Sequence, residues 1–122
     1  MVARILIVDD EPNARRALVI GLRAEGFDVD EASDGNVALE RLRLHTADAC
    51  FVDLMMPNMN GLELARHLHC HHPSVRVVLT SAYHLSERQL ERAGIGPVAF
   101  VPKPFELEAL AQFLRTKLAA AA

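Results

Sequence analysis

The chain has 122 residues, 51% of them hydrophobic and 24% charged, with a formal net charge of −3. That length suits one domain with a proper core, and the mild acidity gives no support to a general nucleic-acid or acidic-membrane surface. No apolar run approaches the roughly 20 residues of a membrane span, and MVARILIV meets DDE too early for a signal peptide, so the sequence reads as cytosolic.

In chain order, Arg4–Val8 (RILIV) is a nearly continuous apolar run, as expected of a parallel strand covered on both faces. Pro12 opens a helix where its missing N–H costs nothing. Ala14, Ala17, Leu18, Gly21 and Leu22 form its expected buried stripe, and Gly26 stops it. Phe27–Glu31 (FDVDE) alternates, which places it near a sheet edge. Ser33 or Asp34 caps a second helix carrying Val37, Ala38 and Leu42. Asp48–Val52 (DACFV) is the third strand. Asn60–Gly61 leads into a helix with Leu64, Ala65 and Leu68 that ends before Pro73. Val75–Thr80 (VRVVLT) is the fourth strand. Ser86 precedes a helix with Leu90 and Ala93, closed by Gly94 and Gly96. Val98–Val101 (VAFV) is the fifth strand. The last helix follows Pro104 with Leu107, Leu110, Ala111, Leu114 and Leu118.

This alternation implies a doubly wound α/β fold: a five-stranded parallel sheet with right-handed crossovers, sandwiched between helices in three layers. Residues 1–122 read as one domain, with 119–122 as a frayed helix end or a boundary of the chain. Of the two cysteines, Cys50 sits in an apolar run, so both read as reduced thiols rather than a disulfide.

Ligands of such folds bind beyond the carboxyl ends of the strands. Strand 1 ends in Asp9, Asp10 and Glu11, strand 3 in Asp53, strand 4 in Thr80–Ser81–Ala82, and strand 5 just before Lys103–Pro104. Asp9, Asp10 and Asp53 packed together repel unless a cation joins them, and oxygen-only ligands at an open site favour Mg²⁺. Lys103 and the hydroxyls complete a pocket for phosphoryl oxygens. Asp53 is then a plausible nucleophile, since carboxylates form aspartyl-phosphates. DDE, the DxxMPxxxG-like spacing around Pro57 and Gly61, and Lys103–Pro104 are each weak to moderate alone. Their order along the strand ends gives them weight.

With ILIVDDE (5–11), VDLMMPNMNG (52–61), TSAY (80–83) and FVPKPF (100–105), the whole chain resembles the CheY-like receiver domain of bacterial two-component response regulators, whose topology is flavodoxin-like. The resemblance implies a signalling phosphoprotein rather than an enzyme with a separate substrate. Asp53 is its phosphorylated aspartate, Asp10 a direct Mg²⁺ ligand, Asp9 a water-mediated one, and the Met55 backbone carbonyl completes the metal site. Lys103 contacts the phosphoryl group, and Lys103–Pro104 is a cis bond. Ser81 rather than Thr80 is the switch hydroxyl, because Ala82 follows it and 22 positions separate it from Lys103. Thr80 is then a buried strand residue. Phe100 fills the slot of the aromatic switch, with a fixed core residue as the competing reading. Met55 and Tyr83 occupy positions that tune phosphoryl lifetime. Neither is a base for water, so slow to intermediate self-dephosphorylation is expected.

The implied donor is a sensor histidine kinase or histidine phosphotransfer protein. The implied output is a downstream protein or domain that meets the fifth strand with the fourth and fifth helices (Phe100, Glu87, Arg88, Arg92 and Glu106), with a phosphorylation-dependent dimer as one form. No direct nucleic-acid or membrane contact is expected. The run HLHCHH (67–72) puts His67 and His71 on one helix face near Cys70. It reads as a solvated helix end, since no distant ligand cluster completes a metal site. Two other functions compete. A small Mg²⁺-dependent phosphatase with an aspartyl nucleophile expects that nucleophile after the first strand and a cap domain. A flavodoxin-like cofactor binder expects a Gly/Ser/Thr-rich phosphate loop where this chain has the acidic DDEPNARR.

Overall fold

Apolar alternation decides the layering. A computed structural model describes residues 2–56 and 59–119; Pro57 of the loop motif and residues 120–122 lie outside them. The elements run β1 (Arg4–Val8), α1 (Pro12–Ala24), β2 (Asp28–Ala32), α2 (Gly35–Leu44), β3 (Ala49–Asp53), α3 (Gly61–His71), β4 (Arg76–Ser81), α4 (Glu87–Arg92), β5 (Ala99–Pro102) and α5 (Leu107–Ala119). All strand pairs are parallel, in the order β2-β1-β3-β4-β5. Successive side chains of a strand point to opposite faces. Ile5, Ile7, Phe51 and Val78 therefore pack with Val19 and Leu22 of α1 and Leu110, Ala111 and Leu114 of α5. Leu6, Val8, Cys50, Val52 and Leu79 pack with Ala38 and Leu42 of α2 and with Leu64, Ala65 and Leu68 of α3, while Leu90 of α4 joins at the margin. The result is a three-layer, doubly wound, flavodoxin-like α/β sandwich. Burial pushes the Cys50 thiol up to about 12, so it is an inert core group.

The half-polar strand Asp28–Ala32 is an edge of the sheet, and β5 is the other. Asp34, rather than Ser33, caps α2: its Oδ1 accepts from the Val37 amide at 2.9 Å. Gly26 terminates α1 with φ of 99°, a conformation that glycine adopts without penalty.

Two expectations need correction. β2, β3, β4 and β5 each begin and end one residue later than their apolar runs suggest. Polar residues that read as loop are in fact paired: Asp53 registers with Thr80, and Ser81 with Pro102. In α1 the stripe has a different phase. Ala14 and Ala17 are exposed, while Val19 and Leu22 are buried and Arg15, Leu18 and Gly21 are half-buried. The larger aliphatic side chains bury more apolar area than alanine, and they set the rotation of the helix.

Gly61 positions the top of β3. Its amide donates to the Leu54 carbonyl at 3.1 Å, and a Cβ there would stand 2.6 Å from both the Asp53 carbonyl oxygen and Leu54 Cα. Only glycine lets α3 start against that backbone. Gly61→Ala is expected to lose about 1–3 kcal/mol of stability, as overpacked sites do. Chemical denaturation measures this, and an unchanged midpoint would show that the backbone gives way freely.

Candidate functional site

β1 and β3 are neighbours, so the residues ending them meet at the point where strand order reverses. Asp9, Asp10 and Asp53 each place a carboxylate oxygen within 4.8 Å of the others. Asp9 and Asp53 are only 4% and 7% exposed, whereas Asp10 faces solvent. Each buried carboxylate has a local anchor. Asp9 Oδ1 accepts from the Glu11 amide at 2.9 Å, and Asp53 Oδ1 accepts from the Met55 amide at 3.0 Å. Lys103 Nζ donates to Asp53 Oδ2 at 2.9 Å. The Lys103–Pro104 peptide bond is cis.

The electrostatics are those of an unfinished charge cluster. Burial pushes the Asp9 carboxyl above its ordinary value, the Glu11 amide opposes this, and the negative charge of Asp53 and Asp10 adds to the rise while Lys103 moderates it. Burial draws the Lys103 ammonium down, but its hydrogen bond to Asp53 and the pull of all three aspartates outweigh burial and hold its pKa above the usual lysine value. Three carboxylates facing one ammonium carry a formal charge of −2. An all-oxygen donor set with that deficit fits a hard divalent cation.

An aromatic pair holds the ion pair in place. Phe51 in β3 and Phe105, just past the Lys103 turn, meet edge to face with ring centres 5.6 Å apart. Such a contact adds about 0.5–1.5 kcal/mol beyond area burial. Each ring stands two residues from a member of the Asp53–Lys103 pair, so it fixes both backbones.

The other residues expected at the site are nearby but differently engaged. Glu11 turns away to cap α1, accepting from the Asn13 and Ala14 amides at 3.2 and 2.6 Å. Ser81 is buried at the end of β4, where its Oγ accepts from the Tyr83 amide at 3.0 Å, and the Ser81 carbonyl accepts from the Lys103 amide at 3.0 Å. Thr80 is buried in the strand, and its Oγ1 has no partner among the described residues. Met55 has its amide tied to Asp53 and is 62% exposed as a residue. Phe100 is half-buried and packs toward the α2, α3 and α4 face. An apolar cavity of about 470 Å³ opens beside Ser81, walled by Leu54, Met56, Leu62, Tyr83 and Leu85; the three aspartates are not part of its lining.

One supporting group was missed in the sequence. Arg15 donates from Nη1 to the Asp9 carbonyl at 2.8 Å and from Nε to Glu31 Oε1 at 2.9 Å, and Glu31 also pairs with Arg16. It braces the acidic turn from behind. Its signal was present as the i, i+3, i+4, i+7 set Arg15, Leu18, Val19 and Leu22, hidden by the assignment of small alanines to the buried face.

The family model of the response regulator receiver domain matches residues 5–115. The chain belongs to that family. The receiver is 35% identical over 117 residues to the response regulator ArlR of Staphylococcus saprophyticus, covering 94% of this chain and 52% of that protein. It thus spans about half the length of this curated relative. It superposes with a TM-score of 0.90 and 25% identity on a CheY-like receiver domain protein from Methanospirillum hungatei, covering 99% of this chain and 97% of that one. A Thermotoga maritima response regulator, TrrA, solved in complex with Mg²⁺–BeF, matches with a TM-score of 0.83 and 32% identity over 96% of this chain and 99% of that one. Members of this family are phosphorylation-dependent signalling switches of two-component systems, and this receiver is one. Receivers bind Mg²⁺ at an acidic pocket, and this chain has such a cluster. No helix among the described residues is long and apolar enough to cross a membrane.

Two predictions follow from the Arg15 brace. Arg15→Met should weaken divalent-cation affinity about 10- to 100-fold, the usual cost of losing an outer-shell partner. Titration calorimetry reads this, and unchanged affinity would reduce Arg15 to a packing role. The hydrogen bond from Arg15 leads; burial opposes it, and Arg16 adds to the lowering, so the Glu31 carboxyl is held below its ordinary range. The ionised form is therefore favoured in the folded state. The stability difference between wild type and Glu31→Gln should be full at neutral pH, above the ordinary glutamate range, and vanish as pH falls through the depressed folded value. Thermal melts across that range measure it; a difference that grows on acidification would contradict the assignment.

Proposed function

We propose that Asp53 is the phosphoacceptor of this receiver, that Asp10, Asp9, Asp53 and the Met55 carbonyl hold Mg²⁺, and that a histidine kinase or histidine phosphotransfer protein is the donor. The observation that carries this reading is the buried Asp53 carboxylate paired with Lys103 and crowded by two more aspartates. When bound, the ion neutralises charge that builds on the phosphoryl oxygens. The chain's own groups do the rest. Lys103 lies against Asp53 Oδ2 and offers its ammonium to a phosphoryl oxygen. The Met55 amide fixes the Asp53 carboxyl plane through Oδ1. In the transfer, an Asp53 oxygen forms the new P–O bond as the donor's P–N bond breaks, and the leaving imidazole keeps the electron pair and takes a proton.

Ser81 is the hydroxyl that turns toward the phosphoryl group, leaving the Tyr83 amide, and Phe100 on the next strand follows it inward. The half-buried position of Phe100 leaves apolar area still to be removed from water, which favours that movement. The altered face, made of α4, β5 and α5, then meets an output domain, a downstream protein or a second receiver. The receiver catalyses its own phosphorylation and dephosphorylation only, with slow to intermediate loss of the phosphoryl group. Its place of action is the cytoplasm.

Acetyl phosphate with Mg²⁺ should add one phosphoryl group to the wild type and none to Asp53→Asn, as read by intact mass. Beryllofluoride with Mg²⁺ should shift the NMR resonances of Ser81 and Phe100. Lys103→Ala should keep the fold but lose the Phe100 response. An unmodified wild type, or modification retained in Asp53→Asn, would defeat the assignment.

A further inference from the structure

The C-terminal half of α3 and its cap carry a second set of potential metal ligands, at the opposite end of that helix from Asp53. His67 and His71 lie four residues apart on one face, and their rings are tilted by 43° with centres 4.5 Å apart. His72, the C-cap of the helix, places its ring 6.5 Å from that of His67. His69 belongs to a different face: it packs against Gly96, where even a Cβ would collide with its ring. The sequence favours a solvated helix end for HLHCHH, because no distant cluster completes a site. The structure shows that the run itself brings imidazoles together.

We infer that His67 and His71 form a chelating site for a borderline divalent transition metal such as Zn²⁺, Ni²⁺ or Cu²⁺, with His72 as a weaker third ligand. Imidazole nitrogen suits these ions and does not suit Mg²⁺. With metal–nitrogen bonds of about 2.0–2.1 Å, two imidazoles sharing an ion have ring centres roughly 4.5–5 Å apart. The observed 4.5 Å separation is in that range, whereas His72 must turn its ring inward to reach the ion. Among the described residues the acidic trio is the one group of three whose ligand atoms already converge, so the imidazole site would take two ligands from His67 and His71 and leave its other positions to water.

The charges agree with this geometry. The carboxyl end of a helix attracts positive charge. Three protonated rings so close together would repel one another, and partial burial, followed by the neighbouring His71 and His72, holds the His67 ring below the usual histidine value. Neutral rings around a single dication give the helix end its positive charge without ring-to-ring repulsion. His71 is exposed and His67 half-buried, so the ion has open access.

The test is calorimetric titration of Zn²⁺ into the whole chain in excess Mg²⁺, which keeps the acidic site occupied. One Zn²⁺ is expected per chain. His67→Asn and His71→Asn should each weaken binding by at least about tenfold, the lower bound seen even for outer-shell losses. His72→Asn should have a smaller effect, and His69→Asn and Cys70→Ser essentially none. Circular dichroism checks each variant; should His67→Asn misfold, the exposed His71 decides. Absence of Zn²⁺ binding in the wild type, equal loss in His69→Asn or Cys70→Ser, or loss only in Asp53→Asn would overturn the proposal.

Discussion

The Asp53–Lys103 ion pair, set among two further aspartates, is the constraint around which the receiver is organised. An isolated carboxylate this deeply buried would be costly, and removing one partner of a buried pair leaves the other uncompensated. Lys103 answers only part of the negative charge gathered at the rim. The resulting deficit is a stored preference for a dication. It also has a cost: burial, with the charges of Asp53 and Asp10, pushes the Asp9 carboxyl up and disfavours its charged form.

The rest of the molecule keeps that arrangement from relaxing. A parallel sheet brings all its strand ends to one edge, and the doubly wound order places the ends of β1 and β3 side by side. Hydrogen bonds continue across the rim beyond the strands proper: the Leu54 amide donates to the Thr80 carbonyl at 3.0 Å, and the Lys103 amide donates to the Ser81 carbonyl at the same distance. Phe51 against Phe105 locks two of these segments, Gly61 docks α3 on a third, and Arg15 braces the turn after β1. The pieces come from distant parts of the chain, yet each contacts backbone or side chain within two residues of a charged group. Precision of this kind is what a preorganised site needs.

Much of this was legible because the relevant signals are local. Continuous apolar runs marked β1 and β4, glycines and capping residues marked helix ends, and acidic or basic residues directly after apolar runs marked the rim. What was missed depends on tertiary context. The apolar pattern stops at Val52, but the ladder continues through Asp53 because β4 still offers backbone partners there. The phase of α1 was misjudged because alanine is compatible with either face, whereas Leu18, Val19 and Leu22 are not. Arg15 reads as a solvated charge until the Asp9 carbonyl and Glu31 are seen to face it. Glu11 reads as part of the acidic cluster until its side chain is found capping α1. The close approach of the His67 and His71 rings depends on rotamers that spacing alone does not specify.

The shallow seating of α4 has a mechanical consequence. This six-residue helix has no buried side chain; a Ser86–Gln89 capping box closes its start, and Arg66 of α3 reaches across to the Ala93 carbonyl at 3.0 Å just past its end. Local stability follows buried contacts, so this segment sits at the soft end of the molecule. Re-seating it costs energies on the order of a single hydrogen bond, about 0.5–1.5 kcal/mol. In the proposed switch, a small rearrangement at the rim would be taken up in this lightly packed segment, as a short stroke on a rigid frame swings a loosely hinged flap.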